Sequence, residues 1–210
     1  MKIYLLRHGK VEGEPALYGS TDAPVSADII EQMAQALKRG SITFDLVVSS
    51  PLQRCSTLAD KLHAEGEIPM MSMAGFREMD FGLYDGQPFE QLKDEWTHLE
   101  RFWQDPAKKP LPDAECLADF EHRVIKSWNE LLCIASMNQW HEHSILLITH
   151  GGVIRVLISH ILGIDSSNPK LFSHLKIANA SVTTIDHSIY QHDGAEEAVT
   201  TVESIALPLL

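Results

Sequence analysis

One short stretch, Lys2-Ile3-Tyr4-Leu5-Leu6-Arg7-His8-Gly9, constrains the fold more than any other in the chain. Ile3 to Leu6 is apolar at both alternating positions, the pattern of a central parallel strand covered on both faces. The run stops abruptly at a cation, an imidazole and a glycine. Successive side chains on a strand point to opposite faces. Arg7 and His8 therefore serve one site only if the strand ends there and the backbone turns. Gly9 permits such a turn and lets a ligand approach the backbone. A solvated Arg-His pair would look the same, so the rest of the chain must decide.

The pattern of an apolar strand running into chemistry recurs twice. Asp45-Leu46-Val47-Val48 reads as a second buried strand leading into Ser49-Ser50-Pro51, where Ser50 suits a helix N-cap and Pro51 the first helical position. Leu52, Cys55, Leu58, Ala59 and Leu62 form the apolar stripe of that helix, with Arg54 in its first turn. Ser144 to Thr149 is a third buried run; it ends in His150-Gly151-Gly152 and opens a helix through Val153, Val156, Leu157 and Ile161, stopped by Gly163. Between these lie a polar loop from Lys10 to Pro24 that suits a cover over a site, and a helix capped by Ser26 and closed by Gly40. Ile68 to Met73 reads as an edge strand, because it carries Pro69. One or two short helices follow within Pro88 to Trp103. After a Pro-rich segment, Asp113 is placed to cap a long helix with the stripe Leu117, Phe120, Val124, Trp128, Leu131, Leu132 and Ala135. Two alternating runs, Ser181–Asp186 and Val199–Ile205, flank a polar turn at His192-Asp193-Gly194 and predict a terminal hairpin or sheet edge.

Alternating strands and helices imply an α/β fold of three layers, α/β/α, with a mostly parallel open sheet flanked by helices, as one domain over residues 1–210. Such sheets bind ligands beyond the C-terminal ends of their strands. Arg7-His8-Gly9, Ser49 through Arg54 and His150-Gly151 thus converge on one sheet edge. Two guanidiniums there make an oxyanion clamp, and helix N-termini add backbone N–H groups. One of the two histidines is free to attack phosphorus while the other donates to phosphoryl oxygens. Neighbouring cations would keep an attacking imidazole neutral near pH 7. Glu78, beside Phe76, Met79 and Phe81, is the candidate acid for the leaving oxygen, with Asp80 and Glu90 as alternatives.

Composition narrows the partners. A net charge of −12 argues against a nucleic-acid backbone and requires any phosphate site to be a local cationic pocket. No apolar run approaches the ~20 residues that span a bilayer, and Met1-Lys2 leads straight into a strand, so no signal peptide and no membrane partner are expected. Three widely spaced cysteines, Cys55, Cys116 and Cys133, fit free thiols in a reducing cytoplasm. None has an arginine six residues on, which sets aside a cysteine-based phosphate loop. His141-x-His143 lacks further ligands and reads as a polar loop.

Together these segments make the chain similar to the histidine phosphatase superfamily, the group that includes cofactor-dependent phosphoglycerate mutases. The matching pieces, in order, are Leu6-Arg7-His8-Gly9, Ser49 to Arg54, Arg77-Glu78 with Gly82 and Gly86 after it, and Thr149-His150-Gly151-Gly152. The resemblance implies that His8 becomes phosphorylated, that Arg7, Arg54, His150 and Gly151 bind the phosphoryl group, and that Glu78 donates the proton. It implies no cofactor and no metal, and a small-molecule phosphate monoester as partner. Within the superfamily, Leu17-Tyr18-Gly19-Ser20-Thr21-Asp22 and the stretch from Phe76 to Leu92 resemble bacterial α-ribazole-5′-phosphate phosphatases. That likeness implies substrate contacts at Tyr18, Gly19 and Ser20 and a role in assembling the cobalamin nucleotide loop. A broader phosphatase, a mutase and an inactive phospho-ligand binder are the alternatives. The chain departs from the family pattern after Gly9, where Lys10, Val11 and Glu14 replace the usual Glu-Thr or Glu-Ser and a nearby Asn; an inward Glu14 would repel phosphate. Ala114-Glu115-Cys116 likewise stands where the family has Gly-Glu-Ser.

Overall fold

Strand β1 (Lys2–Arg7) lies inside a six-stranded sheet in the computed structural model, which describes residues 1–192 and 195–210. It pairs in parallel with β4 (Ser144–Thr149) on one side, in the register Arg7 to Thr149. β2 (Leu46–Ser49) pairs in parallel with β4 and with the short edge strand β3 (Met70–Ser72). On its other side β1 is antiparallel to β5 (Ser181–His192), which carries β6 (Ala195–Pro208) antiparallel at the far edge. The sheet is therefore mixed, a parallel quartet extended by a hairpin. The hairpin's expected turn includes Asp193 and Gly194, which lie outside the described residues.

Strand alternation divides the core into two layers. Leu6, Val47, Leu146 and Ile148 face α1 (Ala27–Arg39) and α2 (Gln53–Gly66). Ile3, Leu5, Val48, Ile145 and Leu147 face α4 (Leu117–Met137) and α5 (Gly151–Leu162). Each stripe read by helical spacing is the buried side of its helix: Ile30, Met33, Ala34 and Leu37 in α1; Phe120, Val124, Trp128 and Leu131 in α4. Two shorter helices, α3 (Trp96–Gln104) and α6 (Lys170–Ser173), stand over the C-terminal end of the sheet.

Three local expectations are corrected. α2 begins at Gln53, two residues after Pro51, and Ser50 does not cap it. The Ser50 hydroxyl instead meets His150, and the Gln53 amide donates to Asp22. The N-terminus of α2 thus holds the Asp22 carboxylate of the neighbouring loop instead of being free for a phosphate. α4 is capped by Cys116, whose Sγ accepts from the Asp119 amide, while Asp113 sits four residues before the helix in the left-handed region at φ 56°. Gly9 is small for a packing reason. A Cβ there would lie 2.6 Å from Ile29 and 3.1 Å from the Met33 sulfur, so α1 presses directly on the backbone after His8.

Candidate active site

β1 and β4 end side by side, the His8 amide donating to Thr149 O, and the Ser50 amide donates to Ile148 O. This register brings Arg7, His8, Arg54 and His150 together. His8, Arg54 and His150 are buried, and their rings and guanidinium touch. The His8 and His150 rings lie 5.2 Å apart at 62°. Arg54 Nε donates to His150 Nδ1 over 3.1 Å.

These contacts fix both tautomers. A guanidinium only donates, so His150 Nδ1 carries a lone pair; its Nε2–H then points at Ser50 Oγ, 2.8 Å away. A carbonyl only accepts, so His8 Nδ1, 2.7 Å from Gly9 O, holds the proton and Nε2 has the lone pair. Burial, with the charges of Arg7 and Arg54, lowers the His8 pKa to about 3. Burial also holds His150 well below its ordinary value, aided by His8, Arg54 and Arg7. Both rings are neutral at pH 7. His8 is thus pre-set as an imidazole with a free lone pair.

The two arginines are used differently. Arg54 donates to the carbonyls of Thr21 (2.8 Å), Tyr18 (3.1 Å) and Gly19 (2.6 Å) as well as to His150. Its donors hold the loop, while its charge acts on the histidines. Arg7 donates from Nη1 to Ile177 O, but its Nε–H is buried with no partner among the described residues. An orphaned buried donor costs about 1–3 kcal/mol unless a ligand accepts from it. That donor is the signature of an anion site.

Glu78 stands at the N-terminus of α5. Its Oε2 accepts from the Gly152 amide at 3.0 Å and its Oε1 from Met79 at 3.1 Å. A Cβ at Gly152 would sit 2.2 Å from Glu78 Oε1, so the second glycine is what admits the carboxylate. Neither Asp80 nor Glu90 lines the cleft over His8. That cleft, about 400 Å³, is lined by Arg7, His8, Glu78, Gly151, Arg155 and Asn179 and by Lys10, Glu14 and Tyr18 of the covering loop. Gly19 gives its backbone to Arg54 and Asp85, and Ser20 faces an adjacent cleft that also holds Arg77 and Arg123. Of the three loop residues expected to bind substrate, only Tyr18 lines the His8 cleft.

Four residues that the sequence reading passed over organise this site. Asp85 accepts from the amides of Gly19, Ser20, Thr21 and Phe81; these bonds hold its carboxyl below the usual range against the opposing effect of burial. The loop over the site is thus clamped by its carbonyls to Arg54 and by its amides to Asp85. Arg123 forms two bonds to Glu115 (2.6 and 2.8 Å) and donates to the carbonyls of Gly75, Arg77 and Glu78, stapling the segment that carries Glu78. Asn179 donates to His8 O and Gly9 O from the far end of the chain. Arg155 lies one helical turn beyond Gly151, where an added Cβ would be 3.1 Å from its Nη1 and 3.4 Å from Arg7. The one available signal for Asp85 was a carboxylate between Gly82 and Gly86; for Arg155 it was the i, i+4 spacing from Gly151 on α5.

Cys55 is fully buried 3.6 Å from His150 Nε2. Burial pushes its thiol far above the ordinary value, so no thiolate is present at neutral pH.

The histidine phosphatase superfamily (branch 1) profile matches residues 3–197. The chain belongs to the histidine phosphatase superfamily. It is a phosphatase. Among its relatives, the uncharacterized phosphatase PhoE of Bacillus subtilis (strain 168) is 26% identical over 88% of this chain and 87% of its own length. The adenosylcobalamin/alpha-ribazole phosphatase of Escherichia coli (strain K12) is 27% identical over 89% of this chain and 90% of its own. The solved mycobacterial glucosyl-3-phosphoglycerate phosphatase superposes with a TM-score of 0.80 at 22% identity, covering 98% of each chain. The histidine phosphatase fold thus extends through the terminal hairpin. Among the described residues, no helix is long and apolar enough to cross a membrane.

Proposed function

We propose that this phosphatase is a metal-independent phosphomonoesterase that works through phospho-His8. His8 Nε2 attacks phosphorus and the P–O bond to the alcohol breaks as the P–N bond forms. Protonated Glu78 gives its proton to the departing oxygen. The resulting Glu78 carboxylate then takes a proton from water, whose oxygen attacks phosphorus. The P–N bond breaks, inorganic phosphate leaves, and His8 and Glu78 regain their starting forms. Arg7 grips the phosphoryl oxygens through its unpartnered Nε. Arg54 contributes charge, Gly151 a helix N-terminus, and the His150 Nε2–H now on Ser50 is the one that would serve a phosphoryl oxygen. Positioning and charge stabilisation of this kind carry most of phosphoryl transfer.

The observation that carries this reading is the protonation geometry of His8, neutral and with Nδ1–H held by Gly9 O beside an orphaned arginine donor. For the natural substrate we infer α-ribazole 5′-phosphate, on the loop from Leu17 to Asp22 and on the named activity of the Escherichia coli relative. Phosphate release from this compound is to be compared with release from 3-phosphoglycerate, nucleoside monophosphates and p-nitrophenyl phosphate, with a chelator present throughout. A strong preference for the ribazole ester supports the assignment, and flat rates remove it while leaving the mechanism. Phosphate transferred to a second hydroxyl of the sugar acid would make the protein a mutase. His8→Ala should cut turnover about 10⁴-fold or more and abolish acid-labile phosphoprotein; turnover that survives it would overturn the phosphohistidine route.

A further inference from the structure

The cleft over His8 does not end at Glu78. Leu17, Glu78, Phe81 and Arg155 line both that cleft and a second cavity of about 180 Å³. Beyond those four the second cavity is lined with carbon, chiefly Met79, Phe102, Trp103, Phe120 and Phe172. Glu78 and Arg155 are the only charged side chains among its described lining residues. Its aromatic wall is braced from behind. Phe81 meets Phe102 edge-on at 6.0 Å, and Trp103 is held edge-on by Phe89 at 5.9 Å and Trp96 at 5.5 Å.

We propose that this cavity is the leaving-group site, and that the substrates are phosphomonoesters of alcohols ending in a flat aromatic ring. The inference rests on the phosphomonoesterase reading, because it is Glu78, shared by both spaces, that puts the cavity on the side of the departing oxygen. Size limits the occupant. A dry apolar cavity of about 150 Å³ takes a benzene, so this one holds a single ring or a compact fused pair, not an acyl chain. Chemistry limits it further. A ring gains from edge-to-face contact with Phe102 and Trp103. A carboxylate placed there would be desolvated against carbon. Arg155 has its Nε on Leu175 O at 2.9 Å, which anchors the guanidinium at the mouth. Polar atoms joining ring to phosphoester would meet it there.

Two measurements test this. The first compares kcat/KM for benzyl phosphate and ethyl phosphate, whose leaving alcohols have similar acidity, in wild type, Trp103→Ala and Phe172→Ala. Wild type should favour the benzyl ester by about tenfold or more, and the ratio should collapse in both variants. Equal rates in wild type, or a ratio that neither variant moves, would overturn the proposal. The second follows binding of benzyl alcohol by saturation-transfer NMR in the presence of inorganic phosphate, and needs no turnover. Binding in wild type that is lost in both variants supports the ring site even if neither ester is hydrolysed, in which case the phosphomonoesterase reading alone has failed. No binding in wild type removes the ring site itself.

Discussion

The floor of the cleft and its wall are built in opposite ways. The floor and the layer buried beneath it lie at or just beyond strand ends: Arg7 closes β1 and His8 follows it in the floor, while beneath them His150 follows β4 and Arg54 is the second residue of the helix after β2. His8, Arg54 and His150 are buried and Arg7 is half-buried, Arg54 is hydrogen-bonded to His150, and their positions follow from register. The wall draws Leu17 and Phe81 from loops, Phe102 and Trp103 from α3 and Phe172 from α6. Its contacts are between carbon surfaces, edge-on ring pairs among them, rather than between charges and hydrogen-bonding groups. The difference separates two tasks. Phosphoryl chemistry needs charges held in a low dielectric on rigid elements, whereas selecting an alcohol needs only a shape, which mobile or variable segments can supply.

The joint between floor and wall is Glu78, and the sharpest way to break it is Gly152→Ala. The added methyl would fall 2.2 Å from Glu78 Oε1 and displace the carboxylate while leaving His8 and Arg7 in place. General acid catalysis contributes roughly 10²–10⁴-fold. Gly152→Ala should therefore slow alkyl phosphates by about 10²-fold or more and p-nitrophenyl phosphate much less, reproducing the pattern of Glu78→Gln. Equal losses on both esters would show that Glu78 is not the acid, and no loss on either would show that α5 gives way.

Burial of the floor predicts a second effect, on stability. His8 titrates near 3 in the folded protein and His150 well below its ordinary value, against about 6.5 unfolded. Between those values the unfolded chain binds protons that the native state does not, so stability rises with pH. For His8 the contribution is complete above pH 6.5 and is lost as pH falls toward 3, by about 1.4 kcal/mol per pH unit; His150 adds to it in the same direction. Denaturant midpoints should rise between pH 4.5 and pH 7, and His8→Gln should flatten that rise. A slope that His8→Gln leaves unchanged would place the acid sensitivity elsewhere.

How legible each part was follows from the same division. Arg7, His8, Arg54 and His150 were readable because an apolar run that stops at a charged residue marks a strand end, and topology carries such ends to one edge. The mostly parallel character of the sheet was readable too, but its strand order was not, and β5 and β6 joining antiparallel beside β1 was seen only as a terminal hairpin or sheet edge. Where Ser50 would point was not readable, because its hydroxyl can cap a helix or meet His150, and only the spacing between β2 and β4 decides. Arg123 looked like one more polar position on a long helix. Its five contacts lie on carbonyls and a carboxylate 8 to 48 residues away, which no local pattern encodes. Of the wall residues, Phe102 and Trp103 fall in a stretch that reads only as one or two short helices, and the cavity they line with Phe172 depends on how α3 and α6 pack.

Arg123 gives an intermediate test. Arg123→Gln removes the staple on Gly75, Arg77 and Glu78 and leaves Glu115 unpaired, with both partners less than a quarter exposed. Loss of such charged hydrogen bonds should lower stability by about 1–3 kcal/mol, read from the denaturant midpoint. Turnover should fall about tenfold, again more for alkyl than for nitrophenyl esters, because the loop loses alignment rather than its carboxyl group. Inorganic phosphate should inhibit as before, since Arg7 and His8 are held by β1. A parallel loss of phosphate affinity would mean that the Glu78 segment also shapes the floor.

The smallest effect lies at the rim. Glu14 is exposed on the covering loop and lines the His8 cleft beside Lys10, on a protein of net charge −12. A dianionic ester approaching this mouth meets a carboxylate with water between them. One unit charge about 10 Å away through water contributes only ~0.4 kcal/mol per substrate charge, so Glu14→Gln should raise kcat/KM roughly two- to fourfold. Salt decides whether the reason is right. The Debye length shrinks from about 30 Å at 0.01 M to about 3 Å at 1 M ionic strength, so the gain should vanish at high salt. A gain that persists there would mean that Glu14 contacts the phosphoryl group directly, and that the rim belongs with the floor.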